Sequence, residues 1–306
     1  MLGFGGPTCF EEVRPFILNV TRGRGVPQER IEAVIEQYRR IGGKSPFNEL
    51  TRRQADALAE ELRRQGAPAR VYTGFLYWSP YISDALQTVA DDGVSHVVAC
   101  VMAPQRSEAS FDRYQSAVGE ALEEEVRAPI RVDFLPPWHT HKLFVEAVAD
   151  RVTEKLSLIP PGKRADAQLI FTAHSVPVRM AEQSGYASQL QETAALVAGA
   201  VQHHKWCVAY QSRSGGPHEP WLEPDIGNAI AGAGAAGVRD VIVVPIGFVC
   251  DHVEILFDLD VQAAQLASRE GVRMSRAATV GDHPAFIRML AELVRAVMAA
   301  PSGTGK

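Results

Sequence analysis

The run VIVVPIGFVCDHVEILFDLD, Val241 to Asp260, decides the fold class. Its first four residues, Val241 to Val244, are all apolar and β-branched, without the polar alternation of a half-exposed strand. Such a run reads as a strand buried on both faces. Pro245 and Gly247 break it, and an acidic helix is expected from His252 to Glu270. Strand, turn and helix in that order form the repeating unit of a parallel α/β sheet. Ligands of such sheets bind beyond the carboxyl ends of the strands, where the turn 246–254 falls. On the expected helix Glu254 and Asp258 stand four residues apart and share a face, with Gln262 next along the stripe. The stripe has two readings, a solvated helix face or a row of carboxylates that passes a cation inward.

A second run of the same kind is LIFTAHSVP, Leu169 to Pro177, in which His174 follows an apolar strand. A histidine in that position commonly serves as a hydrogen-bonded structural residue. A neutral imidazole and a carboxylate at the tips of two parallel strands also suit a borderline divalent metal and the removal of a proton.

Outward from these runs, strands and helices alternate along the whole chain. In the first part helices are expected at Glu11 to Asn19, Pro27 to Arg40, Thr51 to Gln65, Tyr81 to Asp91, Ser110 to Val126 and Phe144 to Leu156. Strands are expected at Ala69 to Thr73, Ser95 to Met102 and Ile130 to Phe134, after a short first strand in Met1 to Phe4. Ile159-Pro160-Pro161-Gly162 interrupts the pattern and marks the expected boundary between domains 1–158 and 159–306. Beyond it strands are expected at Ala167 to Thr172, Trp206 to Tyr210, Asp240 to Val244 and near Arg273, with helices Tyr186 to His203, Asp225 to Ala236 and a last one, Pro284 to Ala299, expected to lie back across the first domain. Two halves of like order imply two doubly wound parallel-sheet domains with a site in the cleft between them. No glycine-rich phosphate loop follows a strand, and Gly232 to Gly237 sits where a helix ends, so a nucleotide-binding reading fails.

Composition agrees with a globular chain: 306 residues, 46% hydrophobic and 22% charged, with a formal net charge of −5. That balance gives no broad basic surface for nucleic acid. The four cysteines are scattered without metal-ligand spacing, which fits a reducing, cytoplasmic setting. No apolar run reaches the roughly 18 to 20 residues that cross a bilayer. Transient contact with a membrane surface or a pathway enzyme stays open.

FTAHSVP, YQSRSGGPHEPWLEPD and PIGFVCDHVEILFDLD, in this order, together with FGGP, RPFILNVTRGRGVP and IGGKSPFNELT, resemble the ferrochelatase family, and in detail its actinobacterial-type members, which mostly act on coproporphyrin III. The resemblance implies two Rossmann-like chelatase domains and insertion of Fe²⁺ into a porphyrin with loss of two protons. It implies that His174 and Glu254 are the catalytic and metal-handling pair, the proton acceptor and the metal ligand not being assigned between them. Asp258 extends the metal path outward. Gln262 stands where some relatives carry another acid. Asp251 beside the site has a competing role as a helix cap. By resemblance Arg22, Arg24, Ser45, Tyr114 and Phe4 lie against the macrocycle or its propionates. For the arginines the alternative is a solvated surface, and for Tyr114 helix packing. Some relatives have at Phe4 a Tyr that ligates iron in the product, which Phe cannot do. Iron is a substrate in this family and no cofactor is required. Some relatives hold an iron–sulfur cluster with cysteines after the last helix, and none is expected here because no cysteine follows it. Other readings are a cobalt chelatase acting on a reduced tetrapyrrole and a non-catalytic tetrapyrrole carrier.

Overall fold

The structure, a computed structural model, describes residues 1–126, 128–215 and 219–300. Its second half is organised by β5 (Gln168–His174), β6 (Trp206–Gln211), β7 (Asp240–Pro245) and β8 (Arg273–Arg276), all parallel, in the order β6-β5-β7-β8. The sheet is apolar on both sides. Leu169, Phe171, Ile242 and Val244 face one core, while Ile170, Val241 and Val243 face another. All seven are at most 1% exposed, and each such side chain stabilises the fold by roughly 1.5–3 kcal/mol. Period-two alternation therefore separates two cores, and it is invisible in the sequence because both sets are apolar.

The first half contains β1 (Leu2–Gly3), β2 (Gly74–Phe75), β3 (His96–Ala99) and β4 (Arg131–Phe134). β1 pairs with β2 and β3 with β4, all parallel, and one bridge from Leu2 to Val101 joins the two pairs. There the Leu2 N–H donates to the Cys100 carbonyl at 2.8 Å and the Met102 N–H to the Leu2 carbonyl at 2.9 Å. The resulting order is β2-β1-β3-β4, the same as that of the second sheet. In each, the first strand has its neighbours on opposite sides and the chain changes winding direction, which opens a crevice at the strand ends.

Several elements depart from the sequence expectation. Ala69 to Thr73 is not in a ladder, and the strand is Gly74–Phe75, because β1 supplies only two partner residues. The helix expected from Thr51 begins at Phe47, where the Ser45 hydroxyl accepts the Phe47 N–H at 3.2 Å. A short helix, Val178–Ser184, precedes Tyr186–Ala200. The helix expected from His252 to Glu270 is three pieces: α-helix Val253–Leu256, a π turn Asp258–Ala263 and α-helix Ala264–Arg269. In the π turn the Gln262 N–H reaches back to the Phe257 carbonyl at 2.9 Å, five residues away. The glycine run ends helix Ile226–Ala235 as expected, with Gly237 at φ +80°.

Helix Pro284–Ala299 lies against Phe47–Arg64 and Lys142–Ser157, with Arg295 donating to Gln65 at 2.8 Å and Arg288 paired with Glu146 at 3.2 Å. Lys142–Ser157 in turn packs on Tyr186–Ala200 and on β7. No helix among the described residues is long and apolar enough to cross a membrane.

Candidate active site

His174 is the last residue of β5, level with Gln211 of β6. On its other side Thr172 is level with Pro245 of β7, and the chain then folds over the end of β5 through Gly247. The Gly247 N–H donates to the Thr172 carbonyl at 3.1 Å. A β-carbon on Gly247 would stand 2.5 Å from that of Ala173, so only glycine permits the crossing. The crossing carries His252 and Glu254 to the mouth of the crevice. His252 caps the next helix, its Nδ1 accepting the Glu254 N–H at 3.3 Å, and the Gln211 amide holds the Glu254 carbonyl at 2.5 Å.

These supports bring His174 Nε2 to 3.7 Å from Glu254 Oε1, with both side chains about one-third exposed. At that separation the two attract as an ion pair when the imidazole is charged. The other imidazole nitrogen, Nδ1, contacts the Ser175 carbonyl, an acceptor, so Nδ1 carries the hydrogen. In the neutral ring Nε2 then keeps its lone pair on the Glu254 side, free for a proton or a metal. The Tyr186 hydroxyl donates to the His174 carbonyl at 3.2 Å, and the Trp221 ring lies 6.4 Å from the imidazole.

Asp258 opens the π turn, and the Ser212 hydroxyl donates to its Oδ2. Burial pushes its carboxyl up to about 7, and the charge on Glu254 adds to the rise. The Ser212 hydrogen bond and the positive charge of His174 and Arg30 oppose it. At neutral pH this carboxyl therefore exchanges its proton readily. Burial lowers the His252 imidazole from its ordinary range, against the pull of Glu254 and Asp251.

Asp251 is not the helix cap that its position suggested. Its carboxylate is held by Arg276 at 3.0 Å and by the Thr279 hydroxyl at 3.0 Å, and Arg276 also grips Asp260 at 2.7 Å. One guanidinium thus ties the residue before His252 to the π turn after Glu254. Only the three-dimensional packing reveals it, because Arg276 is distant in sequence from both acids.

The sequence-predicted binding residues fall in different places. Phe4 is 41% exposed and stacks beside Tyr77, centroids 4.6 Å apart, with Phe16 at 6.2 Å. Trp78 extends this aromatic shelf, and Val253, next to Glu254, packs against the same cluster. Arg22 and Arg24 are exposed in the turn after helix Val13–Val20, with no ion pair to either among the described residues. Ser45 and Tyr114 are buried, Ser45 under the Gly6–Pro7 turn and Tyr114 among the apolar residues of the first sheet's helix layer. Sequence reasoning missed Arg30, Tyr77 and Trp78, whose position depends on contacts between distant segments. Among the described residues no group of three His, Cys, Asp or Glu side chains is gathered closely enough to hold a metal ion. The cysteines are free, with Cys100 and Cys250 buried and Cys9 exposed.

Two parallel sheets of one strand order, with an imidazole and carboxylates at the crevice of the second, define a protein of the chelatase fold. A solved structure, SirB of Bacillus subtilis with Fe³⁺, matches it with TM-score 0.57 and 14% identity over 81% of this chain and 89% of that one. The chain belongs to the ferrochelatase family, whose model matches residues 1–298. It is 41% identical over 310 residues to the coproporphyrin III ferrochelatase of Frankia alni, covering 97% of this chain and 79% of that protein. It is 38% identical over 297 residues to the coproporphyrin III ferrochelatase of Mycolicibacterium vanbaalenii, covering 96% and 88%. Enzymes of this family insert ferrous iron into a porphyrin, so iron is a substrate here.

Proposed function

We propose that the chain inserts Fe²⁺ into coproporphyrin III, forming Fe-coproporphyrin III and releasing two protons in haem biosynthesis, the alternative ring being protoporphyrin IX. The observation that carries the chemistry is the His174–Glu254 pair, 3.7 Å apart at the crevice of the second sheet. Two relatives of that name at 38% and 41% identity support the ring. Coproporphyrin III bears more propionates than protoporphyrin IX, and the exposed Arg22 and Arg24 offer charge to them. Phe4, Tyr77 and Trp78 offer an apolar face to the macrocycle.

Metal insertion exchanges two pyrrole N–H protons for one Fe²⁺. His174 Nε2 and Glu254 accept the protons and offer donors to the iron as it loses water. Two protein donors bind iron too weakly to trap it, which suits an ion that must move on to four ring nitrogens. Asp258, titrating near 7, accepts protons from the inner pair and passes them outward beside Ser212. No resident cofactor enters this scheme. Ser45 and Tyr114 support the walls from within, the halves 1–158 and 159–306 act as two domains, and the setting is cytoplasmic, in line with four free thiols.

The test is anaerobic turnover of ferrous iron with coproporphyrin III and protoporphyrin IX side by side, for the parent, Glu254→Gln and His174→Ala. Both variants should fold and lose at least about 100-fold in turnover. Near-parental rates in both would reject the site, and a faster rate with protoporphyrin IX in the parent would reject the ring.

A further inference from the structure

The segment that carries Glu254 and Asp258 has little support of its own. Its α-helix, Val253–Leu256, is four residues long and runs into the π turn Asp258–Ala263, so few hydrogen bonds within it fix its direction. It is held instead from β6 and β8, the outer strands of the order β6-β5-β7-β8. On the β6 side the Gln211 amide holds the Glu254 carbonyl and the Ser212 hydroxyl holds Asp258. On the β8 side the hold centres on Arg276. Arg276 ends β8, level with Val243 of β7, and its side chain is 14% exposed. A guanidinium has five N–H donors in one plane, and here each meets an acceptor. Nε and Nη2 donate to the two oxygens of Asp260 at 2.7 and 2.8 Å. Nη2 and Nη1 donate to the two oxygens of Asp251 at 3.0 and 3.3 Å, and Nη1 donates again to the Ala277 carbonyl at 3.4 Å. Asp251 precedes His252, the cap of the Glu254 helix, and Asp260 lies in the π turn. The stretch between the two acids is thereby closed into a loop of fixed span, with Glu254 and Asp258 inside it. Without the guanidinium, two partly buried carboxylates would repel each other across it. Three residues earlier on the same strand, Arg273 pairs with one acid only, Asp240, at 2.8 and 2.6 Å. That arginine is 67% exposed and ties together nothing but the starts of β7 and β8.

We propose that Arg276 is a positioning residue for metal insertion: it sets the span from Asp251 to Asp260 and, through that span, the placement of Glu254 against His174. The proposal rests on the His174–Glu254 reading of the site. Lysine in its place keeps the charge and has no fork to reach two carboxylates at once. A displacement of about 1 Å at a reacting group can cost on the order of 100-fold in rate. The aromatic shelf of Phe4, Tyr77 and Trp78 stands on the first half, so the loss falls on kcat far more than on KM for the porphyrin.

The experiment measures kcat and KM for coproporphyrin III with saturating Fe²⁺, and amide hydrogen exchange in 252–261, for the parent, Arg276→Lys, Arg276→Ala, Asp260→Asn, Arg273→Lys and Glu254→Gln. Arg276→Lys should fold and lose at least about tenfold in kcat with KM changed less than about threefold. Its exchange in 252–261 should quicken at least about tenfold while that of β5 and β7 stays as in the parent. Added guanidinium ion should restore part of the kcat of Arg276→Ala, and ammonium ion at the same concentration should not. Asp260→Asn combined with Arg276→Lys should lose little more than Arg276→Lys alone, because the two act as one unit. Arg273→Lys should match the parent. Should Arg276→Ala fail to fold, the readings on Arg276→Lys and Asp260→Asn decide. Parental kcat in Arg276→Lys, a KM rise as large as the kcat loss, unchanged exchange in 252–261, the same losses in Arg273→Lys, or equal rescue by ammonium overturns the proposal. An active Glu254→Gln rejects the inner pair and this proposal with it, whereas parental kcat in Arg276→Lys beside an inactive Glu254→Gln rejects the role of Arg276 alone.

Discussion

The two sheets share one strand order and differ in how firmly it is built. In the second, β5 contributes seven residues, of which Leu169–His174 ladder with β6 and Gln168–Thr172 with β7. In the first, β1 contributes two and reaches its second neighbour through a single bridge. The stronger sheet carries His174 and, past one tight crossing, Glu254. The weaker one carries the Phe4 turn and the aromatic shelf. On the proposed function, the groups that transfer protons and metal stand on the more firmly laddered side, where their geometry is best held. On the same proposal, the surfaces offered to the flat macrocycle stand on the more sparsely laddered side, where local opening costs less.

Breaking the second sheet's crevice should have the largest effect. Beyond the loss expected for Glu254→Gln, Gly247→Ala should nearly abolish turnover and cost about 2–4 kcal/mol in denaturant unfolding, because its β-carbon meets Ala173 at 2.5 Å. A stable, active Gly247→Ala protein would mean that the crossing is not what fixes Glu254. On the first sheet's side, Asn48→Ala removes both hydrogen bonds to Gly6 and should cost about 1–3 kcal/mol, with KM for the porphyrin rising more than kcat falls. A larger kcat effect than KM effect there would erase the contrast between the sheets. Phe4→Ala should raise KM alone, by a few-fold, since the ring is exposed and touches none of the reacting groups.

The smallest effect is a dependence on pH. The Asp258 carboxyl is raised from 3.8 to about 7 in the folded protein, so its protonated form is the one folding favours. The stability it contributes is full below about 4 and is lost as pH rises through about 7. Asp258→Asn should therefore raise the melting temperature more above pH 7 than below pH 5. Turnover of the parent should gain, as Asp258 ionises near 7, a limb that Asp258→Asn lacks. Equal stabilisation across that range would show that Asp258 titrates normally.

Much of the second half was legible in the sequence, because a continuous β-branched run has few folds open to it. Val241–Val244 and Leu169–Thr172 became the expected strands, and the strand-end rule placed His174 and the turn 246–254 at one crevice. What stayed hidden depends on partners far away in the chain. Ala69 to Thr73 has strand composition, yet a strand exists only where a neighbour supplies hydrogen bonds, and β1 supplies too few. Asp251 looked like a cap by local chemistry and was instead held by Arg276 across 25 residues. The aromatic shelf joins Phe4 and Phe16 to Tyr77 and Trp78, segments with no periodic relation.

The π turn at Asp258–Ala263 also changes what an insertion or deletion means in this enzyme. One residue in a regular helix corresponds to a rotation of about 100°. Excising a single position between 257 and 263 would be absorbed as ordinary α-helix without that rotation, because the π turn already holds one residue more than an α turn. Only the side chains within the turn, Asp258 and Asp260 among them, would be re-aimed relative to Ser212 and Arg276. Changing the length of this segment would therefore redirect two acids at once, which no point substitution does.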